Sequence, residues 1–228
     1  FNTRKQLLLK TLYAFVANSS TLDDLDCFSM FGTNSFNLVW ERVCADVLDN
    51  QLQKPIGGLR LPVPLAEQYR AKRHKKLIEL IDKPVWIGED PDKGAFSKTA
   101  EDTLIPDLVT IVNIDGEYQF IIFDAKYYNL QLEPNKKLRG QPGIESITKQ
   151  YLYQLAYKPF VDAHGITNVK NCFLMPTAGD TVIVKGKVSL AMLSNLNLQD
   201  IQIRLVPAKL MYRHYLENTK LDVGALRL

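Results

Sequence analysis

Apolar and polar positions repeat with two different periods along this chain, and the changes between them predict the order of its elements. Residues 36–48 carry apolar side chains every three to four positions, as in an amphipathic helix, and residues 33–35 offer N-cap side chains. A similar repeat over residues 2–18 predicts another helix. We therefore expect an N-terminal helical extension over residues 1–34, followed by one large domain over residues 35–228.

Strands and helices alternate in the rest of the chain. The patterns predict strands at 84–88, 169–175, 182–190 and 201–206, of which the first is short. They also predict a long helix over 145–163 that is interrupted or ends near Pro159. A last helix has Pro207 at its N1 position and runs to about Glu217. Proline and glycine are concentrated in residues 130–143, which we expect to form a mobile loop.

Two apolar, β-branched runs, 108–114 and 118–123, flank Asp115-Gly116. Asp-Gly between such runs predicts a β-hairpin with a type I′ turn, because that turn requires positive φ at both central residues. The turn folds the second run back along the first. The residue that opens the first strand should therefore lie beside the residues that close the second.

Charged residues stand at this shared end of the hairpin. Asp107 precedes the first strand, and Asp124 and Lys126 close the second. Because side chains alternate along a strand, Asp124 and Lys126 should share one face while Ala125 points to the other. Two carboxylates and one ammonium group are thus expected to converge beside an apolar hairpin. This arrangement suits a hard cation with a charged neighbour.

Composition narrows the class of protein. Hydrophobic residues make up 46% and charged residues 23% of the chain, as in a globular protein, and no stretch approaches the roughly 18 consecutive apolar residues of a membrane span. The three cysteines have no CxxC spacing, which argues against disulfides and zinc and favours reduced thiols in a cytoplasm. The chain begins with Phe1, so we expect it to be the C-terminal part of a longer protein.

Net charge is only +3, from 28 Lys and Arg against 25 Asp and Glu, so a polyanion would have to bind at local clusters. The chain has two clusters of basic residues. Taken alone, the first suits a solvated helix face and the second a flexible loop. If the carboxylate site at the end of the hairpin is real, phosphate contacts are the better interpretation of both clusters. Their members are Arg70, Lys72, Arg73, Lys75 and Lys76 in the first, and Lys136, Lys137 and Arg139 in the second.

The element order and the placement of Asp, Asp and Lys resemble the PD-(D/E)xK nuclease superfamily over about residues 35–177. Segments 105–108 (Ile-Pro-Asp-Leu) and 123–128 (Phe-Asp-Ala-Lys-Tyr-Tyr) look most like the nuclease subunits of McrBC-type systems and the LlaJI restriction endonucleases. Residues 149–157 support this placement, since these families carry a similar Gln- and Tyr-containing helix. The resemblance implies an α/β fold, a mixed central sheet flanked by helices.

The resemblance also implies a set of site residues around Mg²⁺, with Mn²⁺ as an alternative ion. The implied catalytic residues are Asp107, Asp124, Lys126, Glu41 and Gln150. The implied metal ligands are the carboxylates of Asp107 and Asp124, the carbonyl of Ala125, and Glu41 either directly or through water. Gln154 joins the two basic clusters as an implied DNA-binding residue. Glu41 also suits a solvated surface acid, and Gln150 and Gln154 suit ordinary polar cover of a helix.

The function implied is that of a Mg²⁺-dependent DNA endonuclease subunit of a restriction system, acting on double-stranded DNA in phage defence in a prokaryotic cytoplasm. The chain has no GxxxxGK[ST] loop, so GTP would act only through an McrB-like AAA+ GTPase subunit. We expect a homodimer or a motor-bound assembly and no membrane partner. Two alternatives stay open: a catalytically inactive nuclease-fold scaffold that binds DNA or a motor, and a RecB-type exonuclease.

Overall fold

Residues 35–228 are described by a computed structural model, and the predicted helix over 2–18 and extension over 1–34 lie outside them. The helices are α1 (Phe36–Val47), α2 (Glu67–Arg70), α3 (Ile144–Ala163) and α4 (Ala208–Glu217). The strands are β1 (Val85–Asp90), β2 (Gly94–Thr99), β3 (Leu108–Ile114), β4 (Glu117–Ala125), β5 (Asn168–Thr177), β6 (Ile183–Val188) and β7 (Ile201–Pro207). The predicted helix after residues 33–35 and the predicted hairpin are confirmed.

Five strands form a mixed sheet in the order β3-β4-β5-β7-β6. The pairs β3–β4 and β6–β7 are antiparallel, whereas β4–β5 and β5–β7 are parallel. Helix α3 connects the parallel strands β4 and β5, as a crossover between parallel neighbours requires. The chain is therefore an α/β protein with a mixed central sheet flanked by helices, as the sequence predicts.

The two faces of the sheet carry separate apolar cores. Ile121, Phe123 and Ala125 of β4 pack in a cluster with residues of α1 and α4, whereas Phe120 and Ile122 pack in a cluster with residues of α3. This separation follows from the strand period of two, which sends successive side chains to opposite faces. The face of β4 that meets α3 is thus the one defined by its even-numbered residues.

The β3–β4 hairpin has the predicted register. Leu108 pairs with Phe123 at the open end, and Ile114 pairs with Glu117 next to the turn. Asp115 and Gly116 have φ of 52° and 90°, the positive values that a type I′ turn needs at both central positions. The Asn113 carboxamide oxygen accepts a hydrogen bond of 3.0 Å from the Gly116 N–H. Local turn chemistry thus fixes which residues meet at the far end.

Other elements differ from the sequence-based expectation. Strand β1 pairs with a second strand, β2, which we did not predict because its side chains are all exposed and show no apolar alternation. Helix α3 continues through Pro159 to its end, since the buried Phe160 and Val161 anchor its last turn despite the missing N–H. Pro207 is the N-cap of α4 and the last residue of β7 rather than an N1 residue.

Candidate active site

The open end of the hairpin brings Asp107 and Asp124 together. The β3–β4 pairing ends at Leu108, so Asp107 lies just outside the ladder. Its carboxylate Oδ2 accepts a hydrogen bond of 2.8 Å from the Ala125 N–H, which takes the place of the next ladder contact. Asp124 is only 5% exposed and Asp107 is half-buried. The backbone therefore fixes the Asp107 carboxylate, and the Asp124 carboxylate is buried.

Lys126 completes the group. Its Nζ lies 2.5 Å from Asp124 Oδ1, and its side chain is 21% exposed. Its backbone N–H donates to the Leu174 carbonyl at 2.8 Å, so the chain stays attached to β5 beyond the last residue of β4. The ammonium group is thus held beside the two carboxylates and stays in contact with solvent.

Burial dominates the electrostatics of this group. Burial, together with the charge of Asp107 and a hydrogen bond with it, raises the pKa of Asp124 from 3.8 to about 7, although Lys126 acts in the opposite direction. Partial burial alone would lower the pKa of Lys126, but its pairing with Asp124 and the charge of Asp107 raise it. Two close carboxylates in a poorly solvated place resist double ionisation. Burial beside a second carboxylate therefore favours the protonated form of Asp124 below about pH 7.

Glu41 approaches the same group from α1. Partial burial and the charge of Asp107 raise the pKa of Glu41, while the charge of Lys126 acts to lower it. The Glu41 carboxylate is therefore close enough to interact electrostatically with both residues. The neighbouring Trp40 is fully buried, and its indole N–H donates to the Leu174 carbonyl at 3.1 Å. This contact fixes α1 against β5 at the level of Lys126.

A metal ion at this place would have two carboxylates as its protein ligands. Within residues 35–228, no three His, Cys, Asp or Glu side chains lie close enough together to hold an ion by themselves. Mg²⁺ is commonly held by one or two carboxylates together with waters and substrate phosphates, so Asp107 and Asp124 fit it. Asp124 Oδ1 is buried and contacts the Lys126 ammonium at 2.5 Å, so a bound ion would share this carboxylate with Lys126. Ligation by Ala125 and Glu41 stays a prediction.

The two glutamines of α3 are buried rather than exposed. Gln150 donates from Nε2 to the Ile122 carbonyl at 2.9 Å, and its Oε1 forms no hydrogen bond within residues 35–228. Gln154 accepts through Oε1 from the Asn171 carboxamide at 2.7 Å and from the Gln199 N–H at 3.1 Å. These contacts tie α3 to the sheet. The roles of Gln150 at the site and of Gln154 in DNA binding stay predictions.

Tyr153 is a neighbour of the site that the sequence analysis did not single out. Its hydroxyl donates to the Ile105 carbonyl at 2.9 Å, two residues before Asp107. Burial, followed by the charges of Asp124 and Asp107, raises the pKa of Tyr153. Its place one turn after Lys149 in the predicted Gln- and Tyr-containing helix was the available signal.

Both basic clusters lie at the surface. Helix α2 is a single turn that ends at Arg70, so the first cluster follows turns rather than one long helix face. Arg70 pairs with Glu67 at 3.1 Å, and the Lys76 ammonium donates to Gln53 at 2.9 Å. The second cluster is exposed in a loop that a backbone bridge between Gln131 and Arg139 closes. These side chains are accessible to a large anionic ligand.

Comparison with known proteins places the chain in a family. It matches the family model of the LlaJI restriction endonuclease over residues 1–63 and 67–210, so the chain belongs to this family, as the sequence resemblance predicts. A curated relative from Bacillus subtilis (strain 168), the type II restriction enzyme BsuMI component YdjA, is 31% identical over 193 residues, which are 83% of this chain and 34% of that protein. The chain thus spans about a third of that relative's length.

No solved structure matches the chain. Among the described residues, no helix is both long enough and apolar enough to cross a membrane.

We predict that Asp124→Asn changes how stability depends on pH. Because folding raises the pKa of Asp124 from 3.8 to about 7, the folded protein binds more protons than the unfolded chain between these values. Stability without metal therefore falls as pH rises from about 4 to about 7. The variant should show a flatter profile and, at about pH 8, exceed the native protein by more than about 1 kcal/mol.

The measurement is urea unfolding in EDTA across this range of pH. Asp162→Asn is the matched control, because Asp162 lies on α3 with its side chain 59% exposed beside Lys158. Equal slopes for the native protein and Asp124→Asn would contradict the burial of a raised-pKa carboxyl group.

Proposed function

We propose that this chain is the nuclease part of a restriction system and hydrolyses phosphodiester bonds of double-stranded DNA with Mg²⁺, for which Mn²⁺ can substitute. The observation that carries the proposal is the convergence of Asp107, Asp124 and Lys126 at one enclosed end of a hairpin. Membership of the LlaJI restriction endonuclease family supports it. The proposed superfamily is PD-(D/E)xK, whose pattern these three residues match.

A bound cation would offset the negative charge of the two carboxylates. Asp124 is buried beside a second carboxylate, an arrangement that costs free energy unless one group is protonated or a cation is bound. Burial and Asp107 raise the pKa of Asp124, and Lys126 offsets only part of this effect. Asp107, Asp124 and the Ala125 carbonyl would hold the ion, with Glu41 reached directly or through water. When bound, the ion would polarise the phosphate and acidify a water molecule.

Lys126 supplies a positive charge at the site. A lysine ammonium is a compact cation, and it can orient the attacking water and stabilise the negative charge that develops on phosphorus-bound oxygens. Asp124 restrains its position through their ion pair. An arginine would be a poor replacement for this compact point charge, because its guanidinium is larger, planar and more weakly hydrated. Gln150 on the adjacent helix would orient the scissile backbone or the water.

The DNA would contact the exposed basic side chains of the two clusters. The proposed phosphate contacts are Arg70, Lys72, Arg73, Lys75, Lys76, Lys136, Lys137 and Arg139, with Gln154 as a further proposed contact. Such contacts contribute affinity without reading sequence. The β1–β2 hairpin does not suit this role, since Glu89, Asp90 and Asp92 outnumber its two lysines.

A partner subunit is the second part of the proposal. The Bacillus subtilis relative is named as a component of a type II restriction enzyme, and the chain spans about a third of that protein. The chain itself has no GxxxxGK[ST] phosphate loop. We therefore propose that an McrB-like AAA+ GTPase holds the nuclease on DNA and that GTP acts through that subunit. The nuclease would act as a motor-bound assembly or as a homodimer.

Replacement of each central residue tests the chemistry. Asp107→Ala, Asp124→Ala and Lys126→Ala should each reduce Mg²⁺-dependent cleavage by more than about a hundredfold, because each removes an interaction with the reacting centre. The measurement is nicking and linearisation of closed circular DNA, with EDTA as the metal-free arm. Closed circles also separate an endonuclease from a chain-end exonuclease.

Lys149→Ala is the control for this series, because Lys149 lies on the same helix as Gln150, has a side chain that is 44% exposed, and pairs with Glu145. It should cut like the native protein. Cleavage retained by Asp124→Ala would refute the site assignment. Absence of cleavage by the native protein with its partner, GTP and Mg²⁺ would favour the scaffold alternative.

Neutralising the second basic cluster tests the DNA surface. Lys136→Ala combined with Lys137→Ala should weaken DNA binding for all sequences and reduce the slope of log affinity against log salt by about two, roughly one for each lost phosphate contact. Binding is measured by fluorescence anisotropy in Ca²⁺ at several salt concentrations. Lys93→Ala combined with Lys98→Ala removes the same charge from the acidic β1–β2 hairpin and should leave the slope unchanged. Equal slopes for both double variants would refute the assignment.

Partner dependence is tested with the full-length protein. Cleavage of long DNA should require the McrB-like GTPase and GTP, and the nuclease alone with Mg²⁺ should cut weakly and without selectivity. The physical reason is a short residence time on DNA for a chain with a net charge of only +3. The comparison uses GTP against a non-hydrolysable analogue. Efficient, site-specific cutting by the purified nuclease alone would point to an autonomous enzyme.

A further inference from the structure

Asp107 lies at a place in the fold where the sheet restrains the backbone from one side only. It immediately precedes β3, and β3 is an edge strand of the five-stranded sheet. Ends of edge strands have neighbours on one side only and open more readily than central strands. A group that binds a metal or a reacting phosphate must nevertheless be held to within about half an ångström. Something other than the sheet must therefore restrain the backbone at Asp107.

The side chain of Asn50 supplies that restraint. Its Nδ2 donates to the Asp107 carbonyl at 3.2 Å, and its Oδ1 accepts from the Val109 N–H at 3.1 Å. One carboxamide thus takes both positions that a neighbouring strand would fill beside residues 107–109. Because the Ala125 N–H holds the Asp107 carboxylate on the inner side, Asp107 is fixed from two directions.

Asn50 is itself firmly placed. It follows α1, and its backbone N–H donates to the Ala45 carbonyl at 2.9 Å. Its Oδ1 also accepts from the Leu52 N–H at 3.1 Å. The preceding Asp49 has φ of 54°, which turns the chain sharply away from the helix axis. Asn50 therefore connects Asp107 to α1, the helix that carries Glu41. The positions of both acidic residues thus depend on the same helix.

We propose that Asn50 is a positioning residue, which holds the backbone of Asp107 so that its carboxylate stays in the geometry required to bind a divalent cation beside Asp124. This role rests on the proposed function. Asn50 contacts the peptide of Asp107 and not the carboxylate, so it acts only through that residue. Its loss should increase the freedom of the ligand and lower metal affinity, as the loss of other residues that orient metal ligands does.

The chain provides a matched control in the next residue. Gln51 also clamps the outer edge of β3: its Nε2 donates to the Ile111 carbonyl at 3.2 Å, and its Oε1 accepts from the Ile111 N–H at 3.3 Å. Its backbone N–H donates to the Val109 carbonyl at 2.8 Å, a contact that a side-chain replacement keeps. Gln51→Ala therefore weakens the same strand edge away from Asp107.

The experiment titrates Mn²⁺ into the native chain, Asn50→Ala and Gln51→Ala by isothermal calorimetry, and measures the thermal stability of each protein without metal. Both variants should lose stability to a similar extent. Only Asn50→Ala should also lose metal affinity, by about tenfold. Equal affinities in the two variants would overturn the positioning role. Absence of Mn²⁺ binding by the native chain would instead count against the proposed metal-dependent function.

Asn50→Asp keeps the experiment decisive if Asn50→Ala does not fold. The carboxylate preserves both accepted hydrogen bonds, from Val109 and Leu52, and loses only the donation to the Asp107 carbonyl. Its added negative charge would by itself strengthen cation binding. Weaker Mn²⁺ binding than in the native chain therefore supports the positioning role, and equal or tighter binding refutes it.

Discussion

The hydrogen bond from the Ala125 backbone N–H to the Asp107 carboxylate is the contact on which the candidate site depends. It joins the first residue outside one strand to the last residue of the next, so the carboxylate is placed by backbone rather than by a flexible neighbour. The same contact brings Asp107 against Asp124, whose burial makes a second negative charge costly. Lys126 balances one charge, and a cation would balance the other.

Elements on both faces of the sheet converge on this pair. Helix α1 brings Glu41 and is anchored through Trp40 to β5, whereas α3 contributes Tyr153, which holds the Ile105 carbonyl. The site is therefore not a property of the hairpin alone. Its rigidity depends on two helices packed against separate apolar clusters, and on Asn50 at the outer edge of β3. A change in either core would displace the charged groups without touching them.

The hairpin and its charged end could be predicted because their determinants are local. Asp115-Gly116 fixes the turn, the alternation of side chains fixes the faces, and both together place Asp107 beside Asp124. Strand β2 was not predicted because an exposed strand carries no apolar pattern. Helix α3 continues past Pro159 because the packing of Phe160 and Val161 outweighs the lost hydrogen bond. Neither effect can be seen in a short window of sequence.

The sequence by itself determined the three charged residues at the end of the hairpin, because turn chemistry and periodicity act over a few residues. Its resemblance to a known family implied the family and the α/β class. Only the tertiary structure decided that Gln150 and Gln154 are buried, that Tyr153 lies close to the carboxylates, and that Asn50 holds Asp107. Asn50 and Asp107 are 57 residues apart in the chain. Contacts at such separation follow from how helices pack on a sheet, and no local pattern records them.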